Sequence, residues 1–255
     1  MTTEIILLCG AAFTAGFIDA IVGGGGLIQT PSALVLLPQY PVATVIGTLK
    51  IPAFTGTFFA AAQYAKRVSF NYKQLALMTS IAFVAAFAGS KLLTVVSNHF
   101  MKPLLLVVLI AVAIYTALNK NFGNHTEKSH SVKREWWYAA LFSLVIGFYD
   151  GFIGPGAGSF LVLSFIVLLG YDFLRASAHA KFVNLATNLG SIVFFAASGK
   201  IIYAIAFPMA VCNGVGGLLG ARFALLKGNA FIRIFFLIVV TGTIIRFAYD
   251  VFINR

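Results

Sequence analysis

The chain has 255 residues, of which 60% are hydrophobic and only 10% charged, with a mean hydropathy of +0.95 and a formal net charge of +11. That composition excludes an ordinary water-soluble domain and indicates an all-α, polytopic membrane protein. The positive charge does not point to nucleic acid, because the basic residues fall between apolar runs rather than in a dense patch interleaved with aromatics.

The first apolar run, 5–22, follows a start (Met1 to Glu4) that lacks the basic region of a secretory signal, so it is expected to be a retained helix. It carries Gly16-Phe17-Ile18-Asp19 and leads into the glycine run Gly23-Gly24-Gly25-Gly26. The next run, Leu27 to Leu37, would give about 17 Å of helix against the ~30 Å of a bilayer core. It reads as a half-helix or re-entrant arm, closed by Pro38 and Pro41. Runs at 42–64, 74–97 and 103–119 follow, each near or above the ~18 residues of a spanning helix. Residues 120–135 form the one strongly polar tract, in which His125 and His130 read as surface residues. Apolar runs then resume at 136–153, 158–169, 176–198, 201–225 and 231–251, the second of these again short and closed by Gly170.

The two halves are copies. Gly147-Phe148-Tyr149-Asp150 and Gly154-Pro155-Gly156-Ala157 repeat the opening motif 131 residues later. Tyr40, Lys50, Gly89, Lys91 and Lys102 find Tyr171, Lys181, Gly220, Arg222 and Arg233 at the same offset. This predicts a first membrane repeat over 1–119, a polar linker over 120–135 and a second repeat over 136–255. Five segments per copy make the second enter from the opposite face, giving two inverted five-segment repeats with short broken or re-entrant helices, the pattern of secondary transporters. Between the spans, ten basic residues fall on one side and three on the other. The positive-inside rule then puts both termini outside.

Irregular backbone at membrane depth is tolerated only where it is buried in protein or lines a water-filled cavity. The glycine loops are therefore expected to line one, with Gly23, Gly24 and Gly25 from the first copy and Gly154 and Gly156 from the second. Short helices starting near Leu27 and Gly158 would aim free N–H groups at an anion. A glycine-rich phosphate loop is excluded, since no strand precedes either motif and no Gly-Lys-Ser/Thr follows.

Lys50 and Lys181 lie inside spans, where a lysine costs about 2.5–3.5 kcal/mol on the insertion scale, so each needs a partner or must snorkel to the headgroups. Lys181, Asn184, Asn188 and Ser191 form a polar stripe along one helical face, flanked by Thr187 and His179; the first copy offers only Thr48, Lys50 and Thr57. A ligand would be held asymmetrically. Asp19 and Asp150 are the carboxylates set deep in spans, and either pair with the lysines, bind the loop amides or take up a proton. A structural and a coupling role are both open. His179 is the histidine nearest the proposed cavity, with a satisfied interior imidazole as the alternative.

Ala82, Ala85, Ala86, Gly89 and Ser90 answer Asn213, Gly216, Gly217, Gly220 and Ala221 as small-residue packing faces, with Lys91 and Arg222 beside them at the headgroups or an aqueous vestibule. Trp136 and Trp137 are expected as interfacial anchors. Cys9 and Cys212 read as small core residues. No nucleophile–base pair, metal-spaced cluster or redox cysteine pair occurs in the sequence, so no enzyme, metal or cofactor is indicated.

The segments GFIDAIVGGGGLI, ATVIGTLK, GFYDGFIGPGAGSFL and ASAHAKFVNLATN resemble the TauE/SafE family of membrane anion exporters over essentially the whole chain. The resemblance implies a multi-pass protein of the bacterial inner membrane that moves sulfite or an organosulfonate across it, driven by the electrochemical gradient. It implies substrate binding by Gly23, Gly24, Gly25, Lys50, Gly154, Gly156, His179, Lys181, Asn184 and Asn188, with Asp19 and Asp150 as coupling or structural carboxylates. Pro155 departs from the family pattern, as does Ile51-Pro52 after Lys50, against a symmetrical ligand shell. The partners expected are a small anion, the lipid bilayer and a proton as coupling ion. The alternatives are a proton-linked carrier of a metal cation or neutral metabolite centred on Asp19 and Asp150, and a non-transporting membrane scaffold or chaperone.

Overall fold

A computed structural model describes residues 2–97 and 132–252, with side chains for 3–97 and 133–227. Helices are α1 (Thr2–Val22), α2 (Gly26–Leu36), α3 (Val42–Tyr64), α4 (Tyr72–Val95), α5 (Val132–Phe152), α6 (Ala157–Leu169), α7 (Phe173–Ala197) and α8 (Tyr203–Phe252). Among the described residues, five stretches are long and apolar enough to cross a membrane: Thr3–Val22, Val42–Tyr64, Tyr72–Val95, Phe173–Ala197 and Tyr203–Lys227. The outward positions on these helices are themselves apolar, including Ile6, Val84 and Val211, as a helix facing hydrocarbon requires.

The two short arms are present. Helix α2 has 11 residues and α6 has 13, about 17 and 20 Å of rise, so neither spans ~30 Å alone. The breaks before them arise from backbone that only glycine adopts without strain: φ is +77° and +89° at Gly23 and Gly24, +92° and +85° at Gly154 and Gly156. Gly170, at φ +70°, caps the second arm. Asn71 and Asp172 cap α4 and α7 by accepting from Gln74 N and Arg175 N.

Two expectations change. The sequence pattern predicts separate runs at 201–225 and 231–251, but α8 continues through 50 residues. The intervening Lys227-Gly228-Asn229 holds no proline, and a lone glycine costs only about 1 kcal/mol relative to alanine, too little to end a helix. The last residues of the expected linker, 132–135, already belong to α5. The run 103–119 and linker residues 120–131, with His125 and His130, lie outside the described residues, as do Lys102 and the side chain of Arg233.

Packing crosses between the halves reciprocally. Helices α1 and α3 lie most extensively against α8, while α5 and α7 lie against α4. The chain thus forms two helix groups, α1–α2–α3–α8 and α4–α5–α6–α7, which meet chiefly along α3 and α7. The seams are built from small residues whose Cβ space is taken by the partner backbone. Gly89 lies against Phe148 O and Phe152 N, and Gly220 against Phe17 O and Ala20. Cys9 and Cys212 are free, half-buried and packed on the cluster containing Ala12 and Met209.

Candidate functional site

The two glycine loops touch. A Cβ on Gly23 would overlap the backbone of Gly158, and one on Gly26 would crowd Pro155 Cα at 3.1 Å. Both helix N-termini therefore converge on one place, where the N–H groups of Gly26, Gly158 and Ser159 have no acceptor among the described residues. Between the loops lies a cavity of about 60 Å³. At ~10–15 Å³ per water on this measure, it holds a few waters or one small anion and is far too small for a nucleotide.

Each buried lysine is paired with the aspartate of the other half. Lys50 Nζ donates to Asp150 Oδ1 at 2.9 Å and to the Asp150 carbonyl at 2.7 Å. Lys181 Nζ donates to Asp19 Oδ2 at 2.9 Å and to the Asp19 carbonyl. With side chains 6% and 1% exposed, the lysines do not snorkel. Their charge, expected to await a substrate, is already balanced by carboxylates, so the four groups sum to zero.

The two carboxylates have unequal surroundings. Asp150 is 5% exposed and its second oxygen accepts from Thr187 Oγ1 and, at 3.3 Å, from Asn184 Nδ2. Asp19 is 19% exposed and gains only the Gly25 N–H, at 3.3 Å. The difference follows from the repeat: the counterparts of Asn184 and Thr187 are Ala53 and Gly56, which have no polar group to offer.

Of the residues the sequence singles out, Gly24, Gly25, Lys50, Gly154, Gly156, Asn184 and Asn188 line the cavity together with Asp19 and Asp150. Gly23 lies behind the lining against Gly158, and Lys181 behind Asp19. His179 is elsewhere. Its Nδ1 is 2.8 Å from Arg175 O and its ring sits 4.7 to 5.4 Å from those of Phe70, Phe165 and Tyr171. Two residues along a helix turn about 200°, so His179 and Lys181 face opposite ways and cannot share a ligand.

Three polar side chains of the lining are not anticipated as ligands: those of Gln29, Thr30 and Asn213. Asn213 reads in sequence as part of a small-residue face, yet a lone amide in an apolar span is itself a signal of a cavity wall. Asn213 Nδ2 donates to Gln29 Oε1 at 3.0 Å. Thr57 Oγ1 donates to Asn184 Oδ1 at 3.3 Å, tying α3 to α7 across the cavity. Among the described residues there is no cluster of three or more His, Cys, Asp or Glu suited to a metal.

These features define a multi-pass membrane protein with a small, donor-lined cavity between broken helices, the arrangement of a secondary transporter. The chain belongs to the TauE/SafE family, described as sulfite exporters, whose pattern matches residues 8–247. It is thus a multi-pass membrane transporter of the bacterial inner-membrane type. It is 35% identical over 240 residues to the probable membrane transporter protein ORF9 of Sinorhizobium sp, covering 94% of this chain and 90% of that one. The probable membrane transporter protein YfcA of Escherichia coli (strain K12) is 33% identical, covering 94% and 87%. A probable membrane transporter protein of Haemophilus influenzae is 32% identical, covering 96% and 94%. No solved structure matches the chain.

Proposed function

We propose that the protein is a secondary transporter for one small anion, sulfite or an organosulfonate, bound between the glycine loops and exposed alternately to each side by relative motion of the two helix groups. The observation that carries this reading is the convergence of two helix N-termini on a small cavity with unsatisfied N–H groups. The two halves act as inverted repeats, and the crossed Lys–Asp pairs tie the two helix groups together.

The two Lys–Asp pairs of the site sum to zero charge. An anion entering the site adds one uncompensated negative charge at membrane depth, which is costly. Protonation of Asp19, the more exposed carboxylate, would restore neutrality and free Lys181 to face the substrate. A proton is therefore the coupling ion this site suits. A cation carrier is less well served, since both carboxylates are already engaged by lysines while the unsatisfied groups are donors.

The test is flux of labelled sulfite or methanesulfonate in vesicles holding the purified protein, with and without an imposed pH gradient. Saturable uptake that depends on the gradient is expected, together with strong loss in Asn184→Ala. Absence of anion flux, or competition by cations instead of anions, would overturn the reading.

A further inference from the structure

Gln29 on α2 is 3% exposed, lines the cavity, and its amide Nε2 has no hydrogen-bond partner. A buried amide left unsatisfied is costly, and of the buried unpartnered polar side chains among the described residues this is the one on the cavity lining. The other end of the same amide is fully determined: Gln29 Oε1 accepts from Asn213 Nδ2 at 3.0 Å.

The orientation of this pair is set by two glycines. Asn213 Oδ1 lies in the space that a Cβ on Gly16 or on Gly56 would fill, wedged against α1 and α3. There it lies close to the Cα atoms of both glycines, whose C–H groups weakly donate to an oxygen. With Asn213 Oδ1 fixed outward, its NH₂ faces Gln29, whose carbonyl must turn to meet it. The Gln29 NH₂ is then left without a partner, on a side chain that lines the cavity. The repeat counterparts of Gln29 and Asn213 are Phe160 and Ala82, so nothing equivalent exists in the other half.

Resting on the anion reading above, we infer that Gln29 is a substrate contact and Asn213 its positioning residue, together selecting anions that carry several acceptor oxygens. One oxygen meets the loop N–H groups while another takes the Gln29 NH₂. A single-centre anion such as chloride cannot satisfy both at once.

The test uses the full chain reconstituted in vesicles, with labelled sulfite and methanesulfonate as substrates and chloride as competitor. Gln29→Met removes the donor at nearly constant shape. Gln29→Glu keeps the acceptor for Asn213 while removing the unpartnered donor, and so guards against a merely structural effect. The expected result is a KM for both oxyanions raised about tenfold or more in each variant, as for a lost hydrogen bond to a charged group. Maximal rate and melting temperature should change little, and inhibition by chloride should stay within about twofold. Asn213→Ala should raise KM in the same direction. An unchanged oxyanion KM in both variants, or equal loss for chloride, overturns the inference while leaving the anion reading intact. Wild-type vesicles that move neither oxyanion overturn that reading and this one with it.

Discussion

Lys50 and Asp150, a hundred positions apart in the chain, meet at 2.9 Å, and their repeat counterparts Lys181 and Asp19 meet at the same distance. Both bonds cross between the two helix groups. Removing one member leaves the other buried without a partner, a change that costs about 3–5 kcal/mol, whereas replacing both by apolar residues is far milder. Lys50→Met and Asp150→Leu should each lower the thermal midpoint in detergent sharply, and the double variant should recover much of the loss. Additive losses would show that the pair contributes no coupling.

The unequal shells of the two carboxylates separate their roles. Asp150→Asn disturbs bonds to Lys50, Thr187 and Asn184, whereas Asp19→Asn disturbs those to Lys181 and the Gly25 N–H. Stability should fall more for Asp150→Asn. Asp19→Asn should stay folded yet lose the acceleration of flux by a pH gradient. Retained gradient dependence in Asp19→Asn would remove this residue from the coupling path.

Gly23 and Gly199 both have positive φ, +77° and +63°, but only Gly23 has backbone in its Cβ space. Alanine at Gly199 should cost about 1–2 kcal/mol for the left-handed backbone alone. Alanine at Gly23 must also part the two loops, so a markedly larger drop in melting temperature and loss of flux are expected. Equal effects at the two sites would mean that the loops do not bear on one another.

His179 faces an aromatic pocket of Phe70, Phe165 and Tyr171 and not the cavity. His179→Leu should therefore leave the KM for sulfite within about twofold while lowering stability modestly through loss of the bond to Arg175 O. A large rise in KM at unchanged stability would return His179 to the binding site.

The short arms and the loops before them were readable because their cause is local: glycine runs that permit positive φ, next to apolar stretches too short to span. Repetition at one offset located both lysines and both aspartates. Which lysine meets which aspartate was not readable, since repetition treats the copies as equals and says nothing of how they interlock. Gln29 and Asn213 escaped for a similar reason: each is a single amide in an apolar run, and only the fold brings them together. The different facing of His179 was legible from helical angle alone, two residues from Lys181. The unbroken course of α8 past Lys227 was hidden because a charged residue and one glycine look like a boundary without being one.

The exchange of partners, with α8 closing the group of α1, α2 and α3 while α4 closes that of α5, α6 and α7, bears on ancestry. A single unit of this kind, standing alone, would lack its closing helix and could complete itself only by trading that helix with a second copy. Fusion of the two copies into one polypeptide would then have preserved an intertwined pair inside a single chain, leaving each copy free to diverge: one toward amides along the third helix, the other toward Gln29.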